Sequence, residues 1–107
     1  MRHPQLDEIL ARLRSYLEET YGDRLSQVIL YGSQARGDAH EESDIDVLVV
    51  LKDSFDFCTE VDLTNHFIAD LCLDCEVVVS VMFAKLQKVE SSGMPFYRNV
   101  RHEGIAV

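Results

Sequence analysis

VILYGSQARGDAHEESDIDVLVVL, residues 28–51, decides the fold of this 107-residue chain. An apolar run, Val28 to Tyr31, stops at Gly32-Ser33. Ten residues later Asp44-Ile45-Asp46 opens a second apolar run that continues to Leu51. The first run predicts a strand, residues 33–37 a short helix and Asp38 to Ser43 a polar loop. Ile45 to Leu51 predicts a strand that is apolar on both faces beyond Asp46, the pattern of a central strand covered on two sides.

Alternate strand residues share a face, so Asp44 and Asp46 point the same way. Two adjacent carboxylates repel and call for a cation. Hard oxygen ligands favour Mg²⁺ or Mn²⁺, and Mg²⁺ is usually held by one or two carboxylates together with substrate phosphates. Gly32 lets backbone approach an anion with no Cβ in the way. Ser33 offers a hydroxyl and an N–H at the start of the short helix, where free N–H groups attract anions. Arg36 adds a cation for phosphate oxygens, with pairing to Asp38 or Glu41 as the alternative. Gly37 suits the left-handed residue that ends such a helix. Alone, Gly-Ser is an ordinary turn and Asp-x-Asp an ordinary strand end. Their conjunction at this spacing points to Mg²⁺-dependent chemistry on a nucleoside triphosphate. The acids do not follow the spacing of a calcium-binding loop.

Outward from this stretch, Leu6, Ile9, Leu10, Leu13 and Leu17 recur at helical spacing and predict a helix over 4–21, stopped at Gly22. Residues 58–73 predict a second long helix, with Val61, Phe67, Ile68 and Leu71 on its apolar side. A third strand is expected from Glu76 or Val77 to Phe83, a short helix from Ala84 to Glu90, and a last helix from Pro95 to Glu103. This order predicts an α/β fold: a small mixed sheet with helices packed mainly on one side, in a single domain spanning 1–107.

Acidic residues exceed basic ones, 19 against 10, for a formal net charge of −9. Affinity for phosphate backbones comes from Lys and Arg, so this balance argues against stable nucleic-acid binding and suits a basic protein partner or plain solubility. No apolar run approaches membrane-span length, and the charged start argues against a signal segment, so no membrane association and a cytoplasmic location are expected. Cys58, Cys72 and Cys75 fit reduced thiols; the Cys72–Cys75 spacing lacks a second pair to complete a zinc site. His3, His40, His66 and His102 show no ligand spacing, and Tyr97 fits helix packing.

The segment GSQARGDAHEESDID resembles the signature of the DNA polymerase beta-like nucleotidyltransferases. It is most similar to the minimal nucleotidyltransferases, the MntA-type antitoxins paired with HEPN-domain toxins. The tail MPFYRNVRHEGIAV resembles one branch of the same family. The resemblance implies the polymerase beta-like fold and an antitoxin that transfers AMP from ATP, with Mg²⁺, to a tyrosine of a HEPN-type ribonuclease toxin. It also implies a hetero-oligomer with that toxin. Asp44 and Asp46 then serve as catalytic metal ligands, and Gly32, Ser33 and Arg36 bind the nucleotide.

The family usually adds a third carboxylate on a later strand. Glu76, just before Val77-Val78-Val79, is the best-placed candidate for a catalytic metal ligand, and Asp74 is the runner-up. The alternative is that both mark a solvated helix–strand turn. An imperfect third acid also leaves room for an antitoxin that neutralises its toxin by binding alone, or for a transferase with another acceptor. Larger relatives carry an added helical domain to hold the acceptor, and nothing after residue 83 is long enough for one, which fits a partner that brings the acceptor.

Overall fold

A computed structural model describes residues 3–39 and 43–107. Helix α1 (Leu6–Tyr21) buries Leu6, Ile9, Leu10, Leu13, Leu17 and Tyr21, one stripe at helical spacing. Asp7 and Glu8 in its first turn suit the positive end of the helix dipole. Gly22, at φ 53°, ends it and begins a 3-10 turn (Gly22–Arg24) into strand β1 (Leu25–Tyr31). After Gly32 comes the four-residue helix α2 (Ser33–Arg36), closed by left-handed Gly37. His40, Glu41 and Glu42 of the expected loop lie outside the described residues.

Strand β2 (Ile45–Leu51) coincides with the predicted run, and Val47 to Leu51 are fully buried. Helix α3 (Phe57–Cys75) starts at Asp56, whose carboxylate accepts the Thr59 N–H at 3.0 Å, a cap that contributes about 1 kcal/mol. Then follow β3 (Val79–Lys85), α4 (Leu86–Ser91), α5 (Pro95–Glu103) and a two-residue strand β4 (Ile105–Ala106).

The sheet order is β3-β2-β1-β4, with β1 antiparallel to β2 and β4 and β2 parallel to β3. A parallel pair needs a long crossover, and α3 supplies it. Helices α1 and α3 share one face of the sheet, packed on Val28, Leu30, Val47, Val49, Leu51 and Phe83. Tyr16 of α1 stacks on Phe67 of α3 at 4.0 Å between ring centroids. The other face carries a smaller core in which Ile29, Leu48, Val50 and Ala84 meet Val89 of α4 and Val100 of α5. The two long helices therefore lie on one side, as expected, and two short ones cover part of the other.

Strand β1 starts at Leu25 ahead of the expected Val28, and β3 runs past Phe83 to Lys85, which moves the start of α4 from Ala84 to Leu86; two further departures bear on the site. The third strand begins at Val79, not at Glu76 or Val77. Helix α3 runs on to Cys75, and Glu76 caps it in the left-handed conformation at φ 52°. The Val77 N–H returns to the Cys72 carbonyl, so the start of the β-branched run closes a helix instead of joining a sheet. Strand β4 is an addition to the expected elements. Gly104 permits it, because a Cβ there would overlap the Val100 carbonyl and the Ile29 side chain.

Candidate active site

Antiparallel pairing sets Tyr31 opposite Asp46, so the end of β1 and the start of β2 meet where the chain turns at Gly32. Ile45, Val47 and Val49 face the large core. Asp44 and Asp46 therefore project from the opposite face, the one that Leu48 and Val50 share with α4 and α5. Gly32 sits at φ 76°, and a Cβ on it would overlap the Asp46 carboxylate. The bend and the acid thus touch, and glycine is required twice over: for its positive φ and for its missing side chain.

The electrostatics of the pair follow from its placement. Burial raises the Asp46 pKa above the ordinary carboxylate value, Asp44 raises it further by like-charge repulsion, and Arg36 opposes both. Burial, and then the charge of Asp46, push the Tyr31 hydroxyl pKa upward. A divalent cation between the two acids would relieve the repulsion, and the hard oxygens of Asp44 and Asp46 fit Mg²⁺ or Mn²⁺.

Ser33 is the first residue of α2, where the Gly32 carbonyl accepts from the N–H groups of Ala35 and Arg36 at 3.1 Å each. The Arg36 guanidinium is engaged by Asp38 and by Glu103 of α5, both at 3.2 Å. A phosphate at Arg36 would have to share it with those carboxylates. Gln34 is fully buried; its Oε1 accepts the His3 N–H at 2.9 Å, while Nε2 has no partner among the described residues.

Glu76 lies apart. It is the exposed cap of α3, three residues before β3. Among the described residues no group of three or more His, Cys, Asp or Glu side chains is arranged to hold a metal, so the structure does not bring Glu76 to Asp44 and Asp46. Its physical reason is the length of α3, which removes Glu76 from the strand that would have carried it inward. Asp74, the runner-up, pairs with Arg12 at 3.1 Å.

Three residues of the site region were not singled out from sequence. Ser80 of β3 pairs with Asp46 in the parallel register. Glu103 holds Arg36 from sixty-seven residues away. Phe96 packs edge-on against Tyr31, at 5.5 Å between ring centroids. Each depends on a contact between distant segments, for which local sequence carries no signal.

A nucleotidyltransferase domain model matches residues 10–100, and the chain belongs to that family. It is 36% identical over 92 residues to a protein of Methanocaldococcus jannaschii named "Putative protein adenylyltransferase MJ0604", covering 82% of this chain and 83% of that one. The fold matches a Sulfolobus solfataricus structure named for a nucleotidyltransferase, with a TM-score of 0.67 and 19% identity over 92% of this chain and 76% of that one. Two toxin–antitoxin structures, one with AMP-PNP and one of an MntA–HpeT mutant, each match with a TM-score of 0.61 and 21% identity. They cover 89% and 91% of this chain and 69% and 70% of theirs. Among the described residues no helix is long and apolar enough to cross a membrane.

Proposed function

We propose that this nucleotidyltransferase transfers AMP from ATP to a tyrosine hydroxyl of a HEPN-type toxin and so acts as its antitoxin. The contact between Gly32 and the Asp46 carboxylate carries this reading, because it sets the glycine–serine bend against a cation-demanding acid pair. The adenylyltransferase relative and the toxin–antitoxin neighbours support it.

Asp44 and Asp46 would hold Mg²⁺ or Mn²⁺, which neutralises charge on the phosphates and activates the incoming hydroxyl. Gly32 and Ser33 orient the triphosphate against the first turn of α2. Tyr31 and Phe96 wall the site beside Asp46. The acceptor oxygen bonds to the α-phosphorus and the bond to the β-phosphate oxygen breaks. Pyrophosphate leaves with that electron pair, and the hydroxyl proton passes to solvent. Positioning and charge neutralisation supply the rate, with no covalent step on the protein.

The test is mass spectrometry of a co-expressed toxin. A gain of one or more AMP units is expected, and Asp44→Asn or Asp46→Asn should reduce it by about a hundredfold or more. Unmodified toxin in a tight complex would instead support neutralisation by contact alone. The position of Glu76 away from the sheet favours that second reading.

A further inference from the structure

Tyr31, Asp46 and Ser80 form one row across β1, β2 and β3. Paired residues on neighbouring strands lie about 5 Å apart and leave the sheet on the same side. Val79, Val81 and Phe83 face the large core, which turns Ser80 and Met82 to the side of Asp44 and Asp46. Among the described residues no side-chain hydrogen bond engages the half-buried Ser80 hydroxyl. Serine is a weak strand former, and the next positions on that face, Met82 and Ala84, are apolar. A free hydroxyl beside a carboxylate is therefore the one polar group that β3 brings to the site.

We propose that Ser80 is the third strand's member of the cation site: a neutral oxygen beside Asp46 that keeps the number of carboxylates offered to a divalent ion at two. The proposal rests on the reading of Asp44 and Asp46 as cation ligands. It follows that the ion is held weakly by the protein alone and firmly only with the phosphate oxygens of the nucleotide.

Mn²⁺ titration of the nucleotide-free full chain, followed by paramagnetic broadening of its amide signals, tests this. Broadening at Asp44, Asp46 and Ser80 together is expected. Ser80→Ala should weaken Mn²⁺ binding by about threefold, and Ser80→Asp should tighten it by about tenfold, since charge count sets affinity in such sites. Ser80→Asp should also restore binding to Asp44→Asn. Wild-type affinity in a folded Ser80→Asp chain overturns the proposal. Should Asp44→Asn and Asp46→Asn bind Mn²⁺ like the wild type, the cation site itself falls, and the proposed function with it. Should they lose Mn²⁺ while both Ser80 variants match the wild type, only the role of Ser80 falls.

Discussion

Glu60 and Asp46 are two acids drawn out of bulk water at different places in this chain, and their surroundings are opposite. Glu60, in the first turn of α3, is 4% exposed. It accepts the Tyr21 hydroxyl at 2.9 Å and pairs with Arg24 at 3.5 Å, and Arg24 in turn lies over the Tyr21 ring. Burial and this hydrogen bond push the Tyr21 pKa up, which keeps the phenol a donor. The acid ties α1, the turn after it and α3 together. Asp46 faces another acid, and Arg36, the cation that acts against their repulsion, is shared between Asp38 and Glu103. A satisfied buried acid reads as structure; an acid held against its like reads as a place kept for a cation.

The comparison can be broken from either end. The largest effect on stability is expected at Glu60. Glu60→Ala should leave Tyr21 and Arg24 without their partner and cost about 3 kcal/mol in chemical denaturation. Mn²⁺ affinity of the folded fraction should not change. A neutral outcome would show that Glu60 is not what joins the helices.

Gly32→Ala comes next. It forces an unfavourable positive φ, at about 1–2 kcal/mol, and drives a methyl into the Asp46 carboxylate. Both a lower denaturation midpoint and loss of Mn²⁺ response are expected. Retained Mn²⁺ binding would separate the bend from the acids.

The smallest effect is a pH-dependent one at Asp46. Its folded pKa is raised, so its ionised form opposes folding above that pKa, and this penalty disappears as pH falls through it toward the unfolded value. Asp46→Asn should therefore melt slightly higher than the wild type at neutral pH and converge with it in acid. A variant less stable at neutral pH would mean that Asp46 is paired like Glu60.

Much of the local structure was legible in the residue order. The apolar stripe of α1, the limits of β2, the short α2 between Gly32 and Gly37, and α5 from Pro95 to Glu103 all depend on periodicity or on turn residues within a few positions. The start of β3 was not. Val77-Val78 has strand composition, but helix α3 extends its packing to Leu71 and Cys75, and the cap at Glu76 takes those residues. Strand β4 has two exposed residues and no period to detect. At the candidate site, the shared face of Asp44 and Asp46 follows from strand alternation alone, whereas the pairing of Arg36 with Glu103 requires α5 to fold back over β1.

Sequence by itself determined most of the elements, though not the start of β3 or the strand β4, and the chemistry they carry: a bend with glycine, two acids on one strand, and a long helix with a single apolar stripe. Those are properties of neighbours along the chain, where covalent geometry sets the spacing. Only the tertiary structure decided which strand lies beside which and in what register. Registers join residues tens of positions apart through packing and hydrogen bonds, and that is why Ser80, not Glu76, stands next to Asp46.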